Sequence, residues 1–129
     1  MTTPSASKVI LVDSSGWLEY VTDDTKAEDF APYIEAQNLV FVPTIVLYEV
    51  YKRLWLAQGK TVADRFASQA LRKRVVPLDE DLALSAARVS LDCRLAMADA
   101  IIYATAQRFQ AQLITSDPHF QSLPGVTLV

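Results

Sequence analysis

Four acids in this chain stand where an acid needs a reason. Asp13 follows the apolar run "VILV", and Asp117 follows "QLITS", so each falls at the carboxyl end of a stretch that reads as a buried strand. Glu49 in "TIVLYEVYKRLWL" and Asp99 in "RLAMADAIIYATA" are the lone acids of apolar segments with helical spacing. An ionised carboxylate buried without a partner costs several kcal/mol, so Asp99 needs a partner, a route to solvent or a cation. Each acid also has an ordinary explanation. Asp13 and Asp117 could be helix caps, the second followed by Pro118 at the first helical position. Glu49 could pair with Arg53 one turn on, and Asp99 could favour the first turn of a helix. Asp99 shares its face with Leu95, Ile102 and Tyr103, which weakens the idea of a solvated face there. Taken together, the four suggest a different chemistry. Gathered carboxylates repel one another unless protonated or bridged, and all-oxygen acidic pockets suit hard divalent ions such as Mg²⁺ or Mn²⁺.

Other chemistries lack their residues. Cys93 is the only cysteine and His119 the only histidine, so no intrachain disulfide and no Cys/His zinc cluster can form, and a reducing cytoplasm fits. His119 lies two residues after Asp117, but no G-x-S-x-G elbow accompanies it, which argues against a Ser-His-Asp hydrolase. Glycines at 16, 59 and 125 alone allow neither a P-loop nor a dinucleotide fingerprint.

Composition bounds the rest. A chain of 129 residues has the length of one domain, and with 51% hydrophobic residues, 3 Gly and a mean hydropathy of +0.17 it carries more apolar surface than a small monomer usually does. A homodimer or an obligate protein partner is therefore expected. Tyr48, Tyr51, Trp55 and Leu56 crowd one helical segment and read as core, or as the surface that such a partner covers. The 12 basic against 15 acidic residues give a net charge of -3, so any nucleic-acid contact must be local, with Lys52, Arg53, Arg72, Lys73, Arg74 and Arg94 as candidates. A solvated helix face is the competing reading for each of them. Residues 1–8, "MTTPSASK", read as a flexible N-terminus, and Val9–Val12 is too short for a signal-peptide core or a membrane span.

The acids must be held by elements, and these are legible. Val9–Val12, Leu39–Val42, Val75–Val76, Leu113–Thr115 and Val126–Val129 are rich in β-branched residues without strict alternation, the pattern of parallel strands buried on both faces. Between them, 15–21, 26–36, 44–58, 61–73, 80–92 and 95–110 read as helices, with Thr or Asp start signals and Gly59 as a stop. Strands separated by helices predict one α/β sandwich over 9–129 with a mostly parallel five-stranded sheet, and ligands in such folds sit at the carboxyl ends of the strands.

"VILVDSS", "IVLYEV", "LAMADAIIYATA" and "LITSDPHFQSLPGV" occur in the order and spacing of PIN-domain ribonucleases, and the chain most resembles the VapC toxins of toxin-antitoxin pairs over Val9 to Val129. The resemblance implies a Rossmann-like PIN sandwich and a Mg²⁺- or Mn²⁺-dependent endoribonuclease. Its metal-binding, catalytic quartet would be Asp13, Glu49, Asp99 and Asp117, supported by the hydroxyls of Ser14 or Ser15 and of Thr115. It implies metal-activated water as the nucleophile, products with a 5'-phosphate and a 3'-hydroxyl, an RNA substrate and a cognate antitoxin. Ser14 stands where the family often has Thr, and Gly16 is less usual in that helix. Two other readings share the fold: a PIN nuclease of RNA processing without an antitoxin, and a non-catalytic protein-binding module. The intact quartet favours the nuclease.

Overall fold

Runs of β-branched and large apolar residues form five strands: β1 (Val9–Val12), β2 (Leu39–Pro43), β3 (Arg74–Val76), β4 (Gln112–Thr115) and β5 (Val126–Leu128). In this computed structural model, which describes residues 8–129, they make one sheet in the order β3-β2-β1-β4-β5 with every neighbouring pair parallel. Apart from Lys8, the expected flexible N-terminal segment lies outside the described residues. The helices α1 (Ser14–Val21), α2 (Ala27–Glu35), α3 (Thr44–Gln58), α4 (Lys60–Ala70), α5 (Glu80–Cys93) and α6 (Met97–Arg108) flank the sheet, and a short 3-10 turn spans Pro118–Phe120. None of the described helices is long and apolar enough to cross a membrane.

The order of the strands creates the place where a ligand can sit. The chain runs outward from β1 through β2 to β3, then crosses back to lay β4 and β5 on the other side of β1. Between β1 and β4 the connections therefore leave in opposite directions, which opens a crevice at their carboxyl ends. Ile10, Leu11 and Val12 of the central strand are fully buried, as continuous apolar runs in a doubly covered sheet should be.

The helices that frame this crevice are held in place from both ends. Ala100 to Ala106 of α6 are all buried, so that helix is a core element rather than an amphipathic surface one. Its far end is tied to the start of α5 by Arg108, whose guanidinium donates to both Asp79 oxygens at 3.1 and 2.9 Å. Asp79 also caps α5 by accepting from the Leu82 amide at 2.8 Å, and this bond, with the Arg108 charge, holds its carboxyl below the usual value.

Gly16 answers a question the sequence raised. A Cβ there would lie 2.5 Å from Val12 Cγ1 and 2.6 Å from Phe30 Cε1, so only glycine lets α1 approach β1 and α2 this closely. Gly59, at φ +93°, ends α3 and opens α4, folding the two into a hairpin.

Several boundaries differ from expectation. The α6 helix starts at Met97 and not Leu95, because Arg94 adopts the left-handed region (φ +57°) and Ala96 is extended. The α4 helix ends at Ala70 and gives way to a turn before β3. Thr44 is the first helical residue of α3 and not its cap, since extended Pro43 precedes it and no side-chain cap bond forms.

Candidate active site

The crevice between β1 and β4 is lined by acids delivered from four separate segments. Asp13 leaves β1 in an extended conformation (φ -72°, ψ 174°) and caps α1 through a bond from the Gly16 amide to Oδ1, 2.9 Å. Its other oxygen, Oδ2, accepts from the Thr115 hydroxyl at 2.6 Å. That hydroxyl in turn accepts from the Asp117 amide at 2.9 Å, so one threonine at the end of β4 locks both strand-end aspartates to each other. Both oxygens of Asp13 are thus fixed although the side chain is only 3% exposed. Burial raises its pKa from 3.8 to about 6, with the Asp117 and Asp99 carboxylates adding to the rise and the Thr115 and Gly16 bonds opposing it.

Asp99 sits in the first turn of α6, whose start has no side-chain cap. The positive end of a buried helix favours an acid there. Half-burial raises its pKa, and the Asp117 and Glu49 carboxylates push it further, while His119 acts the other way. Asp117 caps the 3-10 turn: Oδ1 accepts from the His119 amide at 2.9 Å and lies 2.8 Å from His119 Nδ1. One oxygen each of Asp99 and Asp117 and one ring nitrogen of His119 stand within 4.8 Å of one another.

Glu49 reaches the same edge from α3. It accepts from the Ser14 hydroxyl at 2.7 Å, across 35 residues of sequence, and among the described residues it makes no ion pair with Arg53. The local explanation for Glu49 is thereby replaced by a tertiary one. Asp13 and Asp117 are indeed caps, but as buried or half-buried acids whose charges act on each other. Ser15, next to Ser14 in the first turn of α1, makes no side-chain hydrogen bond among the described residues.

The basic candidates are scattered. Arg72, Lys73 and Arg74 lie at and just before the amino end of β3, opposite the edge that carries the acids, and the Lys73 ammonium donates to the Ile34 carbonyl at 2.9 Å. Lys52 lies over the Tyr48 ring, 5.5 Å from its centre. Arg53 is exposed one turn beyond Glu49, and Arg94 closes α5 at the end of the α5–α6 hairpin that bears Asp99. His119 was set aside in the sequence because it fits no triad. The signal available there was its place two residues after a strand-end aspartate, with Pro118 between them to turn the chain back.

The family model for the PIN domain matches residues 10–126. The chain belongs to the PIN-domain family. No curated protein sequence matches it. Solved structures do: a toxin-antitoxin complex from Klebsiella pneumoniae is 23% identical with a TM-score of 0.77, covering 92% of this chain and 95% of the other. A VapC from Mycobacterium tuberculosis, described as a sarcin-ricin loop cleaving toxin, is 20% identical with a TM-score of 0.74 over 89% of this chain and 95% of its own. The DNA-bound VapBC of Salmonella typhimurium is 12% identical with a TM-score of 0.74 over 96% and 98%. At these identities the likeness is one of fold, and it places this PIN domain in the same architecture as those toxins.

The donor set of the PIN domain fits a divalent cation. Four carboxylates crowd one edge, two of them with raised pKa values, and no lysine or arginine is paired with any of the four among the described residues. Asp99 and Asp117, which with His119 each bring a donor atom within 4.8 Å of the others, could hold the ion.

Proposed function

We propose that this PIN domain is a divalent-metal-dependent endoribonuclease, the toxin of a type II toxin-antitoxin pair acting in the cytoplasm, and that Asp13, Glu49, Asp99 and Asp117 are its catalytic acids. The observation that carries the reading is their convergence at the topological switch point with no lysine or arginine paired to them among the described residues. A divalent ion, Mg²⁺ or Mn²⁺, would supply Lewis-acid polarisation of the phosphodiester and a lowered pKa for water at the site. The chain's own residues supply position. Thr115 and the Gly16 amide fix both Asp13 oxygens, and Ser14 fixes Glu49 Oε1 while leaving Oε2 free. Asp99 is placed by a helix whose next seven residues are buried, which fixes its backbone at this edge. No side chain has to act as a nucleophile. Arg53, one turn beyond Glu49 in α3, and Arg94, between α5 and the helix that bears Asp99, are candidate cations for an RNA backbone.

Surface chemistry supports the partners. An apolar groove of about 610 Å³ runs along the α3–α4 hairpin, lined by Leu47, Tyr48, Tyr51, Trp55, Phe66 and Leu71. It suits an amphipathic segment of a protein such as an antitoxin, consistent with solved neighbours that are toxin-antitoxin assemblies. Leu84 and Leu91, seven residues apart on one face of α5, and Met97 are exposed apolar residues that favour self-association.

The test is cleavage of RNA by purified protein with Mg²⁺ or Mn²⁺, with chelator, and with Asp99→Asn. Cleavage that requires the ion and disappears in the variant is expected. Activity retained in chelator or in Asp99→Asn would overturn the reading.

A further inference from the structure

The histidine beside the acids has a place of its own. Pro118 and the cap on Asp117 turn the chain back so that the imidazole, 77% exposed on its side chain, stands 2.8 Å from Asp117 Oδ1 and shares a 4.8 Å cluster with Asp99 and Asp117. Donors on opposite sides of one ion lie roughly 4.2–4.4 Å apart, with metal–ligand bonds of about 2.1–2.2 Å. At most one pair among three donors can be trans, and adjacent donors lie roughly 3 Å apart, so the three groups would draw together around a shared ion. Beside an acceptor-only carboxylate Nδ1 is the donor and Nε2 carries the lone pair of the neutral ring, so ligation through Nδ1 exchanges its proton and its bond to Asp117 Oδ1 for the bond to the ion.

We propose that His119 is a direct ligand of the divalent ion held at this edge, and that its nitrogen makes the site prefer a first-row transition ion over Mg²⁺. The inference rests on the metal site proposed above. Chemistry gives it direction: Mg²⁺ keeps its water and takes oxygen donors in near-ideal octahedra, whereas imidazole suits transition ions with strength rising from Mn²⁺ to Co²⁺. Among the described residues Asp13 and Glu49 lie outside the cluster of Asp99, Asp117 and His119, and as carboxylates they add only oxygen donors to this edge. The result is a mixed site in which one residue tunes the choice of ion.

His119 is the only histidine of the chain, so a protein made without a histidine tag and with ring-¹⁵N histidine reports on this ring alone. The experiment needs no RNA. Calorimetric titration with Mg²⁺, Mn²⁺ and Co²⁺ is run on the wild type and on His119→Ala, and pulsed electron paramagnetic resonance is recorded on the Mn²⁺ forms. The account expects His119→Ala to weaken Mn²⁺ and Co²⁺ by about tenfold or more while Mg²⁺ changes by less than about threefold. It also expects a nitrogen coupling that changes on ¹⁵N labelling and is lost in the variant. Equal weakening of all three ions with no such coupling would mean that His119 only orients Asp117, and an unchanged affinity would mean that it plays no part; either overturns the inference and leaves the metal site standing. If the wild type binds none of the three ions, the functional reading itself fails with it.

Discussion

The acidic edge and the apolar groove are built by opposite strategies. The edge is assembled from four segments that meet only because β4 returns to the side of β1, and three of its acids are held by hydrogen bonds: Asp13 by Thr115 and Gly16, Glu49 by Ser14, Asp117 by the His119 amide. The groove belongs to one contiguous hairpin. Its polar contacts serve the hairpin itself, as where Tyr51 and Lys60 both donate to Asp64 at 2.7 Å, and what remains is apolar surface. A site that does chemistry on charge needs long-range positioning, while a surface that recognises a partner needs a few large side chains that a partner can bury.

That difference predicts how each region breaks. The largest effect belongs to the acids: Asp99→Asn or Asp117→Asn should lower RNA cleavage by more than roughly a hundredfold, beyond the loss usual for residues that merely support a metal ligand. Partner capture through the groove should stay within twofold. Conversely, Trp55→Asp should impair partner binding, measured with the purified partner or with self-association by light scattering, and leave RNA cleavage unchanged.

Next comes the pH dependence of the metal-free protein. Asp13 titrates near 3.8 when unfolded and near 6 when folded, so the folded state holds its proton more tightly. Stability from this group is fully present below about 3.8 and is lost as pH rises through about 6, on the order of 3 kcal/mol in all. Denaturant melts in chelator from pH 4 to 7 should show Asp13→Asn gaining on the wild type across that window. A constant gap between the two proteins would refute the assignment.

Packing at the edge gives a similar magnitude by another route. Gly16→Ala would force a Cβ against Val12 and Phe30 and should cost about 1–3 kcal/mol, with a loss of activity because the Gly16 amide aims Asp13. A larger change on the groove, Leu56→Ser at a residue 79% exposed, should alter stability by less than about 0.5 kcal/mol. Equal melting temperatures for Gly16→Ala and Leu56→Ser would contradict the contrast between a tightly specified edge and a permissive surface.

The two regions were also unequally legible. The aromatic run from Tyr48 to Trp55 reads first as core, whereas Tyr48, Trp55 and Leu56 are exposed; the strands show as apolar runs free of alternation, because a parallel sheet covered on both faces leaves no polar face to record. The strand-end aspartates could be placed at the carboxyl edge for the same reason. Their partners could not: the hydroxyl that holds Glu49 lies 35 residues away, whereas the local candidate was Arg53. Thr115 was singled out through a family likeness, and the structure supplies its physical role as the bridge between Asp13 and Asp117. The start of α6 was misplaced because Leu95 suits the apolar face of the helix, and nothing about an arginine declares the left-handed turn at Arg94 that delays it.

The central claim is that the four acids form one charge-crowded site that a divalent ion relieves, and thermal melts of the wild type and Asp99→Asn at pH 7 test it most directly. In chelator the variant, with one fewer carboxylate against Asp117 and Glu49, should melt higher than the wild type. With millimolar Mn²⁺ the wild type should gain the larger increment, about 2.7 kcal/mol at a hundredfold excess over Kd, and the variant much less. If Asp99→Asn melts lower in chelator and both proteins respond equally to Mn²⁺, Asp99 is a structural carboxylate and the account is wrong.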